Sequence, residues 1–269
     1  MENSFKPRTL TLTYPSGTVF EIRETNGSDD EIISRQGSAI KGTSVSEYLA
    51  AIIVGINGEK VKLSTEEASL ILSRDRLSLL IQSRIFNLGP KLLYSDSCPY
   101  QGCDWKSSPD HPVEEDLSQF VRDFSLPDKG DNPNQMVLPY SLHGKDVWQK
   151  ILANKGIWKK LDLGNKSVEF KLLDGEGDMF FINIPPEDLN INHELMARNI
   201  RGYFDGNEKP VKVENFRFFS TKDMASIRSY LVTEDKGWEP MMPLTCPKCK
   251  KVHSRRLLEI PDFFFPTVI

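Results

Sequence analysis

Long apolar runs are missing from this chain. The longest, Tyr48–Ile56, falls far short of the roughly 20 residues that a membrane-spanning helix needs, so no such span is expected. The first residues, Met1-Glu-Asn-Ser-Phe-Lys-Pro-Arg8, lack the basic-then-apolar order of a secretory signal, which argues against export by that route and for a cytosolic setting. Glycine and proline, 17 of each, are too few for collagen or a low-complexity chain, and 10% aromatic residues among well-mixed charges exclude wholesale disorder. Catalytic signatures are absent as well: there is no phosphate-cradling glycine loop, His-Glu-x-x-His, Gly-x-Ser-x-Gly or dinucleotide fingerprint. The four histidines, at 111, 143, 193 and 253, are scattered, and Asp174-Gly-Glu-Gly-Asp178 lacks the twelve-residue ligand order of a calcium loop, reading instead as a solvated turn. The expectation is a non-enzymatic protein with no small-molecule substrate.

Cysteine is scarce too, and its distribution is informative. The four residues form two tight pairs, Cys98-Pro-Tyr-Gln-Gly-Cys103 and Cys246-Pro-Lys-Cys249, with none left over. Two short knuckles that each supply two thiolates close a tetrahedral shell around Zn²⁺, and a four-thiolate shell has no open position for water or substrate. The reading is one structural Zn²⁺ per chain, held by Cys98, Cys103, Cys246 and Cys249. His253 or His111 replacing a thiolate is an alternative ligand set, although His253 reads more naturally as a surface residue. A redox-active Cys246-x-x-Cys249 is a second alternative, disfavoured because the flanks read strand, turn, strand rather than strand and helix. The basic run Lys248, Lys250, Lys251, Arg255, Arg256 admits a nucleic-acid-binding zinc ribbon, but a net charge of −4 and a pI near 5.7 make nucleic acid an unlikely partner overall.

Elsewhere the signals are local. Leu10–Tyr14 and Val19–Arg23 flank Pro15-Ser-Gly17 as a β-hairpin, and Ser28-Asp-Asp-Glu31 starts a short helix. Ser64-Thr-Glu-Glu67 and Ser220-Thr-Lys-Asp223 are helix-capping patterns, the first opening a helical region that ends at Gly89-Pro90. Arg74-Asp75-Arg76 reads as an ion-paired helix junction. Val147–Ala153 and Asn192–Ile200 read as helices, Ser167–Leu173 and Leu257–Ile260 as strands, and residues 38–63 fit either helix or strand. The aromatic end, Phe263-Phe-Phe-Pro-Thr-Val-Ile269, is expected to tie into a core.

Phe20-Glu-Ile-Arg-Glu-Thr-Asn-Gly27 and Val168-Glu-Phe-Lys-Leu-Leu-Asp-Gly175 share one order of residue types, with Asp30 and Asp178 following at equal offsets. Together with the two knuckles they suggest an α+β fold of β-hairpins and short helices in two related halves, joined by a zinc-ribbon-like four-cysteine site. The expected divisions are 1–122 with the first knuckle, 123–166 as a Pro/Asp/Asn/Gly-rich linker or insertion, and 167–269 with the second knuckle.

Over most of its length the sequence resembles the base plate proteins of T-even-like contractile-tailed bacteriophages. The resemblance rests on Pro15-Ser-Gly-Thr-Val-Phe-Glu-Ile-Arg23 with Ser28-Asp-Asp-Glu31, Asp75-Arg-Leu-Ser-Leu-Leu80, Arg84-Ile-Phe-Asn-Leu-Gly89 before a Cys pair, and Asp116-Leu117. Further on it rests on Met224-Ala-Ser-Ile-Arg228, Cys246-Pro-Lys-Cys249 and Phe264-Phe-Pro266. The first pair has four residues between its cysteines where that family commonly has two, and 121–166 has no counterpart in the resemblance. What the resemblance implies is a virion structural or assembly protein of the baseplate hub or tail, made in the host bacterial cytoplasm. Its partners would be other baseplate and tail proteins, with self-association also open.

Overall fold

A computed structural model describes residues 7–34, 43–108, 110–126, 139–164, 166–181, 191–203, 211–213, 219–235, 241–257 and 263. The fold is α+β, with helices among small antiparallel sheets. Contacts divide the chain into two compact units, Met1–Leu79 with Asp123–Leu126 and Pro139–Gly237, and Leu80–Arg122 with Pro127–Leu138 and Trp238–Ile269. Each unit takes residues from both of the halves expected from sequence.

In the first unit the hairpin forms as read: β1 (Thr9–Thr13) pairs with β2 (Val19–Arg23), Leu12 opposite Phe20. At the turn Gly17 has φ +81°, and a Cβ there would meet the Gly144 backbone nitrogen at 2.4 Å, so only glycine fits. Helices α1 (Gly27–Ser34) and α2 (Ser44–Ile52) follow, then β3 (Ile53–Ile56) and β4 (Glu59–Lys60), completing a sheet of order β1-β2-β3-β4. Of the stretch 38–63 that fitted helix or strand, the described residues from 43 on form helix and then strand. Ser64 caps α3 (Thr65–Ser69) with a reciprocal capping box, and α4 runs Ser73–Leu88.

The expected linker segment carries α5 (Val147–Asn154) and β7 (Trp158–Asp162) among its described residues; Pro127–Asn134, its most loop-like part, lies outside them. Strand β7 pairs with β8 (Ser167–Lys171), which is followed by α6 (Gly175–Phe181), α7 (Ile191–Ala197), β9 (Arg201–Tyr203) and β10 (Val211–Lys212). This second sheet has the order β7-β8-β9-β10. Helix α8 (Thr221–Glu234) opens on the Ser220 capping box.

The two sheets share one element order, hairpin, two helices, two further strands and then a long helix (α4 and α8), with the short capped helix α3 as an extra element before α4 in the first. Val19 and Ser167 begin β2 and β8, Gly27 and Gly175 begin α1 and α6, and Ser73 and Thr221 begin α4 and α8; each pair stands 148 positions apart. The likeness reaches single hydrogen bonds. Asn26 Oδ1 accepts from Ser28 N at 2.9 Å, and 148 positions on Asp174 Oδ1 accepts from Glu176 N at 3.1 Å. Asp174 is therefore not a residue of a solvated turn: it is 1% exposed, opens α6 and pairs with Lys171.

The first unit also buries charge. Asp75, 1% exposed, accepts from Ser16 N at 3.0 Å, and Arg76 pairs with Asp178 at 3.2 Å. The junction read from Arg74-Asp75-Arg76 is thus ion-paired through Arg76, while Asp75 anchors the hairpin turn. Burial pushes the Asp75 carboxyl up to about 7, against the hydrogen bonds from Ser16. Arg198 and Asp235, both nearly inaccessible, form a further ion pair.

The second unit holds two ribbons, β5 (Lys91–Tyr94) with β6 (Val113–Asp116), and β11 (Met241–Thr245) with β12 (Val252–Arg256). Leu92, Tyr94, Leu117, Phe120, Met242, Leu257 and Phe263 are buried there. Gly89, φ +84°, ends α4, its N–H bonding to Ile85 O at 2.8 Å. Arg84 donates to the carbonyls of Gly89 (3.0 Å) and Phe263 (2.8 Å). The aromatic end is tied in at Phe263, which is fully buried; Phe264–Ile269 and most of the expected strand Leu257–Ile260 lie outside the described residues.

Candidate metal centre

Each cysteine pair sits at the tip of a ribbon, as the strand–turn–strand reading expects. In the shorter tip Cys246 N donates to Lys251 O and Lys250 N to Cys246 O, both at 2.9 Å, and Lys250 adopts φ +64°. This turn aims the Cys249 amide at the Cys246 sulfur, 3.5 Å away. In the longer tip Cys98 N donates to Trp105 O at 3.0 Å and Cys103 N to Tyr100 O at 3.1 Å, and Gly102, φ +81°, absorbs the two extra residues.

The sulfurs of Cys98, Cys103, Cys246 and Cys249 lie within 4.8 Å of one another. Cys98 Sγ is 3.6 Å from Cys249 Sγ, and Cys103 Sγ is 3.7 Å from Cys246 Sγ. A disulfide needs about 2.05 Å, so all four are free. A tetrahedron with metal–sulfur bonds of about 2.3 Å has edges of roughly 3.8 Å, close to both short separations. The donor set and its spacing fit a four-coordinate thiophilic cation, and the cluster could hold a metal ion. Neither His111 nor His253 belongs to the metal-capable group among the described residues.

The pairing is crossed. The first cysteine of each knuckle faces the second cysteine of the other, and Cys98 and Cys246 again stand 148 positions apart. The thiols differ in their ease of ionisation. Burial, reinforced by hydrogen bonds to the neighbouring sulfurs, pushes the Cys98 thiol up to about 12. Against its own burial, Cys246 is held down to about 6 by the amides of Cys249 and Lys248 and by neighbouring thiols. A cation at the centre would favour the thiolate form of all four cysteines.

Behind the cysteines lies a contact that the sequence did not reveal. Asp96, 1% exposed in its side chain, accepts from His253 Nε2 at 2.8 Å, from Arg255 Nε at 2.7 Å and from Ser97 N at 2.8 Å. Burial opposes ionisation of Asp96, yet these donors hold its carboxyl below the usual range. His253, expected on the surface, is instead a buried partner of Asp96, because its position on β12 turns it inward while its neighbours Val252 and Ser254 stay exposed. Two more contacts join the tips: Tyr100 Oη donates to Val252 O at 2.5 Å, and Lys248 pairs with Asp104. Much of the basic run is thereby engaged internally, with Lys248 on Asp104, Arg255 on Asp96, and Lys251 lying 4.9 Å from the Tyr100 ring centre.

Comparison with protein-family models, curated proteins and solved structures finds no match to this chain. No helix among the described residues is long and apolar enough to cross a membrane.

Proposed function

We propose that the four cysteines bind one Zn²⁺ as a closed, structural cross-link, and that the chain is a non-enzymatic structural or assembly component of a contractile-tail baseplate. The observation that carries the metal reading is the crossed sulfur geometry, with two separations of 3.6 and 3.7 Å inside a 4.8 Å cluster. Four thiolates fill a tetrahedral shell, so the ion's role is to hold two ribbon tips together rather than to activate water. The shared element order and the recurring spacing of 148 positions support descent from a duplicated unit, each copy contributing one knuckle in the manner of a two-fold-related interface. The baseplate reading rests on the sequence resemblance, and a closed metal site beside ion-paired ribbon tips is compatible with a structural part.

The nucleic-acid reading is weakened by the internal use of Lys248, Lys251 and Arg255. Thiol exchange through Cys246 and Cys249 is disfavoured because both sulfurs belong to one cluster with Cys98 and Cys103, an arrangement suited to a shared cation. The test is elemental analysis of protein purified under reductant without chelator, alongside Cys98→Ser and Cys246→Ser. One zinc per chain, lost from both variants, is expected; metal-free protein with wild-type stability would remove the cross-link. Antibody detection in purified tails and their assembly intermediates tests the baseplate reading separately, and absence from both would end it.

A further inference from the structure

The second sheet has an apolar face and a cationic one. Val168 and Phe170 of β8 are fully buried on one side, so their neighbours Glu169 and Lys171 point to the other. Residues paired across strands share a face, and the register places Glu169 opposite both Lys160 and Arg201, Arg201 opposite Lys212, and Trp158 opposite Lys171. A file of three cations and one carboxylate, Lys160, Glu169, Arg201 and Lys212, thus crosses all four strands, with an indole at its edge.

Two open hollows of about 680 and 730 Å³ meet on this side of the sheet at Asn154, Trp158 and Arg201. The Arg201 guanidinium carbon lies 3.9 Å from the Trp158 ring centre, which fixes the plane of its donors. Of the charges lining the hollows, Lys150 is neutralised by Asp146, Lys159 by Glu234, and Lys171 by Asp174 and Glu176, and Glu169 is the one further lining carboxylate, opposite Arg201 in the register. Lys155, Arg201 and Lys212 are exposed and have no carboxylate partner among the described residues. The first sheet has no such feature: threonines at 9, 11 and 13 line β1, and Ile53, buried, stands 148 positions before Arg201.

We propose that this cationic cleft is a docking site for a carboxylate-rich segment of a protein partner. An arginine already held flat on an indole presents its paired N–H groups to a carboxylate with little further loss of freedom, and Lys155 and Lys212 widen the positive field along an extended acidic chain. Nucleic acid fits less well. The Trp158 face is occupied by Arg201 and its N–H is engaged with Asn154 O at 3.2 Å, so no free stacking platform is offered to a base. The chain's net charge of −4 also repels a long polyanion, whereas a short acidic segment senses the local field.

Fluorescence anisotropy of the full chain at low salt tests this with a labelled oligo-glutamate peptide and an oligothymidylate strand of equal charge. Arg201→Glu with Lys212→Glu is the first variant, and Lys155→Glu with Lys212→Glu is the second, in which the stacked pair is intact. The control, Lys60→Glu with Lys62→Glu, makes the same charge change at β4 of the first sheet and just beyond it. The expected result is peptide binding weakened about tenfold or more by both cleft variants and little changed by the control. Equal weakening by the control, tighter binding of the strand than of the peptide, or no peptide binding at all would each overturn the proposal.

Discussion

Under the proposed zinc cross-link, removing the ion should destabilise the chain by an amount set chiefly by the loop it closes. In the folded protein the four sulfurs already lie within 4.8 Å, whereas an unfolded chain must bring together knuckles 143 residues apart. The logarithmic loop term, (3/2)RT ln n, puts that closure at about 4 kcal/mol, so the folded chain should bind the ion roughly a thousandfold more tightly than an unfolded chain using both knuckles. Saturating zinc therefore stabilises by several kcal/mol, and each tenfold rise in free zinc above Kd adds about 1.4 kcal/mol until the unfolded chain also binds. The assay is urea unfolding followed by the fluorescence of the four tryptophans, at neutral pH under reductant, with zinc or with a chelator. With m of about 3 kcal/mol/M, the midpoint should fall by about 1 M or more on chelation. Cys98→Ser and Cys246→Ser should each reproduce most of that fall, and the double variant should add little, because either change alone opens the shell. Equal midpoints with zinc and chelator, or additive losses in the double variant, would refute the reasoning.

Three further outcomes are expected. Asp96→Ala should cost about 3 kcal/mol in urea unfolding, because it leaves Arg255 and the buried His253 without their acceptor; Asp96→Asn, which keeps an acceptor oxygen, should cost less. The raised carboxyl of Asp75 makes the folded state bind its proton more tightly than the unfolded chain, whose value is about 3.9. Its contribution is therefore most favourable below pH 4 and declines as pH rises toward 7, by at most about 1.4 kcal/mol per pH unit. Asp75→Asn should flatten that part of the stability–pH curve of metal-free protein between pH 5 and 7, and an unchanged slope would show that Asp75 does not titrate there. Arg198→Ala should cost about 3–5 kcal/mol by stranding the buried Asp235, which also accepts from Leu173 N, and a thermal midpoint equal to wild type would contradict the pairing.

What could be read in the sequence was whatever is decided within a few residues. The Pro15-Ser-Gly17 hairpin, the Ser64 and Ser220 capping boxes and the two cysteine knuckles each carry their own instruction, and each forms where it was expected. Strand β7 gave no such signal, since Trp158-Lys-Lys-Leu-Asp162 is largely polar and becomes a strand only through pairing with β8. Helix α6 begins Gly-Glu-Gly, a poor local helix former, and is held by Asp174, whose oxygen takes two of its first amides. Asp96 and His253, 157 residues apart, meet only once both ribbons have folded, and no spacing rule connects them.

The cysteines lie between these cases. Their paired spacing suggested a shared metal site, but spacing alone does not say which sulfur faces which. The crossed contacts, Cys98 with Cys249 and Cys103 with Cys246, are what two equivalent knuckles produce when they meet face to face, because each must present the same two positions to its counterpart. Under the proposed duplication the two halves began alike and have since diverged unevenly. Strand starts, the Asn26 and Asp174 helix caps and the cysteines recur at a spacing of 148. At the starts of β3 and β9 that spacing is kept but the residue is not: a buried Ile53 corresponds to an exposed Arg201. Retention at the shared centre and divergence on one sheet are the pattern expected if the metal joins the halves and only the second sheet meets a partner.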